Sequence, residues 1–78
     1  PVTLIRFQLP EKSDVSLKIY NSAGQLVRTL ATGKFFAGTH EIIWDARDDF
    51  GNQAASGVYL YTMEAGAFSA KRKMIFLK

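Results

Sequence analysis

Apolar and polar residues alternate along most of this chain, and this period of two is typical of strands with one buried face. No window shows the period of about 3.6 residues that marks an amphipathic helix. In the three clearest segments we expect the apolar residues of one parity to form the core: Ile5, Phe7, Leu9, Val15, Leu17, Ile19, Ile42 and Trp44. The sequence therefore predicts an all-β fold.

Two turns agree with this pattern. Residues 21–24 and 48–51 each begin with an Asx residue and end with glycine. An Asx side chain can accept a backbone N–H at the start of a turn, and glycine adopts the left-handed conformation that lets the next strand begin. A third hairpin connection is predicted at residues 64–67.

Further strands are predicted over residues 25–30, 58–64 and 68–77, with a short one at 53–54 or 34–36. This gives about seven strands, as in an antiparallel immunoglobulin-like β-sandwich, although the pattern does not fix their order. The 78 residues fit one domain, residues 1–78. The chain begins without methionine in a strand-like segment, so we expect a domain excised from a larger protein.

Stability must come from packing alone, because the chain has no cysteine for disulfides or thiolate metal sites. A chain this short buries only about 60% of the surface that its unfolded form exposes, which leaves little room for a deep cleft. His40 is the single histidine and has no nucleophile beside it. Ser56 lacks the first glycine of a nucleophile elbow. We expect no enzyme, no catalytic residue and no cofactor.

One dense group of oxygen ligands is a weak candidate for a metal site: Asp45, Asp48, Asp49 and Asn52. Calcium takes about six to eight oxygens, often from closely spaced carboxylates, but the EF-hand spacing is not met here. Turn capping explains Asp48, and strand termination explains Asp45. We therefore expect no required metal.

Net charge is +3, and the densest basic cluster lies at residues 71–73. A nucleic-acid groove would interleave such residues with aromatic rings along one surface. Lysines that keep a strand edge soluble explain the cluster more simply, so we expect no nucleic-acid partner. No apolar run approaches the roughly 18 residues that a membrane span needs.

Two late segments, residues 58–63 and 74–77, are apolar on both faces, although only one face of a sandwich sheet meets the core. Their outer faces must be covered by something else or remain exposed. Either parity leaves large apolar residues outside. In residues 58–63 the outward side chains are either Tyr59 and Tyr61 or Val58 and Leu60. In residues 74–77 they are either Met74 and Phe76 or Ile75 and Leu77. An exposed edge here would allow strand addition by a partner.

An ordered set of motifs resembles the C-terminal sorting domain (type A) of type IX secretion along essentially the whole chain. The matching segments are residues 3–10, 15–21, 24–27, 37–40 leading to Trp44-Asp45, 56–61 and 73–78. The pattern is related to the immunoglobulin-like domain of flagellar hook-cap proteins, which shares Trp44-Asp45 and Gly57-Val58-Tyr59. The closing Lys-Met-Ile-Phe-Leu-Lys favours the sorting domain.

This resemblance implies a secretion signal that directs an N-terminal passenger through the periplasm and the type IX outer-membrane translocon to the cell surface. A sortase-like peptidase would then cut upstream of the first strand and attach the passenger to the surface. The resemblance places translocon and sortase recognition in the last two strands: Gly57, Val58, Tyr59, Tyr61, Lys73, Met74, Ile75, Phe76, Leu77 and Lys78.

Two other functions remain open at this stage. One is a structural or adhesive immunoglobulin-like module that spaces or anchors a neighbouring domain. The other is carbohydrate binding, which needs exposed rings. Because Trp44 is predicted to lie in the core, that function would depend on Tyr20, Tyr59, Tyr61 or Phe36.

Overall fold

The computed structural model describes residues 3–78, which form an antiparallel β-sandwich of six strands. The strands are β1 (Thr3–Leu9), β2 (Ser13–Asn21), β3 (Leu26–Phe35), β4 (Gly38–Trp44), β5 (Gly57–Ala65) and β6 (Phe68–Phe76). One sheet has two strands in the order β1-β4, and the other has four in the order β3-β2-β5-β6. The described residues include no helix that could cross a membrane. The predicted all-β sandwich is confirmed.

The structure has six strands where about seven were predicted, and it shows where the difference arises. Lys34 and Phe35 end β3, which pairs with β2 from Leu26 onward through two register shifts and so extends well past residue 30. Gln53 forms only an isolated bridge to Arg47. The closing strand ends at Phe76 and does not include residue 77.

The predicted core parity is confirmed in β1 and β2, whose apolar residues of that parity are all buried. Trp44, Leu17 and Ile19 are fully buried. Ile42 is an exception, because it is half-buried and packs against the core from the side. It lies on β4, which has a partner strand on one side only. Further core residues come from later segments: Ala46, Ala54, Tyr59, Met63, Ala65 and Phe76.

An aromatic cluster closes the side of the sandwich where β3 crosses to β4. The ring of His40 lies 5.4 Å from that of Phe7 and 5.1 Å from that of Phe35, measured between centroids. His40 Nε2 lies 2.7 Å from the carbonyl oxygen of Phe36. His40 is therefore a packing residue at the rim of the core.

The two Asx turns form as predicted. Asn21 Oδ1 accepts the N–H groups of Ala23 and Gln25 at 3.0 and 2.9 Å. Asp48 Oδ1 accepts those of the residues two and four positions later, both at 2.9 Å. Gly24 and Gly51 have φ angles of 81° and 86°, a conformation that residues with a Cβ seldom adopt.

We expect Gly51→Ala to lower the free energy of unfolding by about 1–2 kcal/mol, because alanine resists the left-handed conformation. A Cβ at this position would meet no atom within 4 Å, so the cost is conformational and not steric. Urea denaturation measures it. Gly51→Asn is the control, since asparagine tolerates this conformation and should cost less. Equal losses for the two variants would contradict the explanation.

Candidate interaction surface on the β5–β6 hairpin

Strands β5 and β6 form a long antiparallel hairpin, as predicted for the last two strands. Val58 pairs with Ile75, Tyr59 with Met74, and the hairpin extends to Ala65 opposite Phe68. On the other side of β5 lies β2, in a register that pairs Tyr20 with Leu60. The hairpin thus forms one half of the four-stranded sheet.

The inner face of the hairpin packs around Trp44. The Tyr59 ring lies 5.4 Å from the indole in an edge-on arrangement, and the Phe76 ring lies 5.8 Å away. The Tyr59 hydroxyl donates a 2.6 Å hydrogen bond to the carbonyl of Ala55. Tyr61 and Met74 are half-buried against the same cluster. Of the two parities left open by the sequence, this one faces the core.

The outer face therefore carries the other parity. Val58 and Leu60 are 40% and 38% exposed, and Ile75 is 66% exposed. Cross-strand pairing continues this row through Tyr20 on β2 to Leu26 on β3. We call these five side chains the outer strip: Leu26, Tyr20, Leu60, Val58 and Ile75. Just after β6, Leu77 is 70% exposed.

Basic side chains flank the outer strip. Lys73 pairs with Leu60, and Lys71 pairs with Thr62, so both share the outer face. Among residues 3–78, the ion pairs involve Arg6 and Arg28 and none of the three consecutive cations from Lys71 to Lys73. The surface is thus an apolar row beside charges that have no acidic partner.

The chain end is held against the start of β5. The backbone N–H of Lys78 donates to Ser56 Oγ at 3.0 Å. Gly57, the next residue, begins β5 opposite Phe76. This contact keeps Leu77 and Lys78 beside the hairpin.

The aspartate cluster serves the loop between β4 and β5. Asp45 accepts a 2.9 Å hydrogen bond from Arg28. The Asp49 N–H donates to the Val27 carbonyl, and its Oδ1 accepts the Thr29 N–H, both at 3.0 Å. In this way the loop covers part of the outer edge of β3.

The same cluster does not gather into a ligand set. Asp48 closes its own turn through the N–H of Asn52, while Asp45 and Asp49 both lie against Arg28. Within residues 3–78, no three His, Asp or Glu side chains lie close enough together to hold a metal ion. The carboxylates of Asp45, Asp48 and Asp49 thus bond to backbone N–H groups and to an arginine.

The pKa of Asp45 is lowered. Partial desolvation acts to raise it, but the hydrogen bond and charge of Arg28 outweigh this, with help from the backbone N–H of Arg47. A carboxyl whose pKa is depressed on folding stabilises the native state above its unfolded pKa. That stabilisation is lost as the pH falls through the lowered, native value.

We therefore expect acid to lower the stability of the native state partly through Asp45, at pH values at and below the ordinary aspartate pKa. Asp45→Asn should flatten the pH dependence of the melting temperature in that window and leave it parallel to the parent at neutral pH. Asp14→Asn, on the exposed face of β2, is the matched control. If both variants keep the full acid dependence of the parent, the Arg28 contact contributes nothing.

Several important residues carried no clear signal in the sequence. Ala46 is buried with φ of 63°, a conformation that favours glycine, and its carbonyl accepts the Ala54 N–H at 2.7 Å. Neither residue belongs to an alternating segment. Asp49 resembles an ordinary turn residue, and its role at the β3 edge depends on a tertiary contact.

The rings considered for carbohydrate binding do not form one platform. Tyr59 is buried and Tyr61 is half-buried. Phe36 is exposed beside Phe35, which pairs with the first residue of β2, whereas Tyr20 lies near the other end of that strand. Tyr20 is half-buried like Tyr61, so Phe36 is the one exposed ring of these four, and it lies at the opposite end of β2 from Tyr20.

Fold and surface together define a small immunoglobulin-like β-sandwich module with an exposed apolar strip. The family model of the FlgD Ig-like domain matches residues 2–68. The chain therefore belongs to the FlgD Ig-like domain family. The match ends at the start of β6.

Two solved structures share the fold. FlgD from P. aeruginosa is 22% identical with a TM-score of 0.75, and the match covers 96% of this chain and 58% of that one. Dimeric latent PorU from Porphyromonas gingivalis is 23% identical with a TM-score of 0.67, and the match covers 96% of this chain and 9% of that one. The chain thus spans little more than half of the first protein and a small part of the second. No curated protein matches the sequence.

Proposed function

We propose that this domain is a C-terminal sorting signal of type IX secretion, bound by the transport machinery through the outer face of the β5–β6 hairpin. The observation that carries the proposal is the outer strip itself. Val58, Leu60 and Ile75 stay exposed beside Lys71 and Lys73, on the strands where the sequence resemblance locates recognition. A row of large apolar side chains rimmed by charge is typical of a protein-binding site.

The recognition motif divides into two roles in this proposal. Tyr59, Tyr61, Met74 and Phe76 face the core and hold the hairpin in place. Val58, Ile75 and Leu77 then provide apolar anchors for the partner, and Lys73 and Lys78 provide charge. The motif is apolar on both faces because one face serves folding and the other serves binding.

The family membership and the PorU likeness are compatible with this function. The family model describes an immunoglobulin-like domain, and the PorU match shows that this chain's fold occurs as a small part of a much longer chain. The translocon, the sortase-like peptidase, the N-terminal passenger and delivery to the outer surface belong to the proposal. The domain itself performs no bond cleavage in it.

Deleting residues 73–78 would be a poor test, because it removes Phe76 from the core along with the surface. Point substitutions separate the two. In a passenger fusion expressed in a host with the type IX machinery, Ile75→Ser with Leu77→Ser should lower surface display about tenfold or more, as expected for losing two binding anchors. The undelivered passenger should accumulate in the periplasm.

The other sheet supplies the matched control. Leu4 and Ile43 form an exposed apolar pair on the outer face of β1 and β4, 52% and 59% exposed. Leu4→Ser with Ile43→Ser removes similar apolar area and should leave display intact. Thermal melts must show that both double variants fold. Normal display of the Ile75/Leu77 variant would refute the sorting signal and favour the spacer module.

A further inference from the structure

Strand β6 is an open edge of the four-stranded sheet. One edge of β6 pairs with β5 over the full length of the strand. The opposite edge of β6 makes no backbone hydrogen bond to any strand or loop within residues 3–78. The opposite edge, β3, is partly covered by Asp49 through the Val27 carbonyl and the Thr29 N–H. Half of the N–H and C=O groups of β6 therefore face solvent, where another strand can pair with them.

The charge of this edge indicates what can pair with it. Lys71, Arg72 and Lys73 are consecutive, all exposed, and form no ion pair in the described part of the chain. Lys71 and Lys73 project on the outer face of the sheet, and Arg72 projects on the face toward the core. A strand lying along β6 would meet positive charge on both of its faces.

A second copy of this chain is a poor occupant. Arg72 is the middle residue of β6, so antiparallel pairing of two full β6 strands would place Arg72 opposite its copy and Lys71 opposite Lys73 of the other chain. Like charges directly opposite each other in a sheet are destabilising. The same charges attract an acidic segment.

Side chains on the core-facing side of an added strand would also have apolar surface to pack against. A groove of about 210 Å³ lies between β6 and β1, where the sandwich is open. Phe7 and Met63 lie at its base, and Phe68, Ala70 and Arg72 of β6 form one wall. Phe68 is largely exposed at the end of the edge strand. A partner side chain here would cover apolar surface next to a cation.

We propose that β6 binds an acidic, extended peptide segment by strand addition, with its carboxylates on the outer face beside Lys71 and Lys73 and its apolar side chains on the core-facing side, in the groove beside Phe68. Backbone pairing would supply affinity, and the alternation of acidic and apolar side chains would supply specificity. The inference rests on the proposed function, because it names the chemistry of the transport component that recognises the hairpin.

The test uses the 78-residue domain and a synthetic peptide as long as β6, nine residues, that alternates glutamate with valine. Fluorescence anisotropy should show saturable binding that weakens as salt is raised. On binding, hydrogen exchange should slow at the β6 amides that face solvent in the free domain. Exchange at Thr29, whose N–H is already bonded to Asp49, should not change.

Two control peptides separate charge from strand pairing. Replacing glutamate by glutamine should weaken binding severalfold, since the cations lose their partners. A central proline, which lacks an N–H and cannot join a ladder, should abolish protection of β6. If the proline peptide binds as well as the parent, the attraction is only electrostatic and strand addition is wrong.

Matched protein variants complete the design. Lys71→Gln with Lys73→Gln should weaken peptide binding by roughly 3- to 10-fold, the effect of two exposed ion pairs. Lys18→Gln with Lys34→Gln removes the same net charge from β2 and β3 and should have little effect. Equal losses in both variants, or self-association of the domain through β6, would overturn the proposal.

The outcomes also distinguish this inference from the sorting function. Peptide binding needs no secretion machinery, so it succeeds or fails independently of the Ile75/Leu77 export assay. If the domain binds the acidic peptide but the Lys71/Lys73 variant is exported normally, the binding site is real and is not the sorting signal. If export depends on Ile75 and Leu77 but no acidic peptide protects β6, the sorting function stands and this partner chemistry is wrong.

Discussion

The contact of the Trp44 indole with Tyr59 and Phe76 determines how the rest of this domain is arranged. The two sheets share no strand, so side-chain packing holds them together. Trp44 ends β4 in the small sheet, and its rings meet one residue from each strand of the β5–β6 hairpin. The indole N–H also donates to the Arg47 carbonyl at 2.9 Å, which ties the following loop to the core.

This contact also sets which side chains the hairpin presents. Side chains alternate between the two faces of a strand, so an inward Phe76 forces Ile75 outward. A one-residue slip would reverse every position. The apolar outer strip is therefore a consequence of how the core packs, and the fold maintains it although exposed apolar surface adds nothing to the stability of the isolated domain.

The two edge strands of the four-stranded sheet, β3 and β6, are protected from pairing in different ways. At β3, Asp49 takes the place of a neighbouring strand by bonding one carbonyl and one N–H of the edge. At β6, positive charge alone opposes self-pairing, and charge excludes only partners of the same sign. Edge strand β3 is thus partly covered, whereas β6 stays open to partner strands that are not positively charged. The open edge adjoins the outer strip, so a single partner could contact both.

The sequence predicted the fold class and most of the core, because β1 and β2 have one apolar parity and one polar parity. It could not decide the parity of residues 58–63 and 74–77, since both of their faces are apolar and only the tertiary contact with Trp44 distinguishes them. Ala46 and Asp49 were missed for a related reason. Their roles depend on the path of the loop after β4, and alternation contains no information about that path.

Single-cysteine labelling tests the central claim, that packing around Trp44 fixes the outward parity of the closing strand. The chain has no cysteine of its own, so Ile75→Cys, Leu77→Cys and Met74→Cys each report on one position. We predict fast maleimide labelling at positions 75 and 77 under native conditions and much slower labelling at 74, with all three equal in denaturant. Equal native rates at 74 and 75, or faster labelling at 74, would contradict the account.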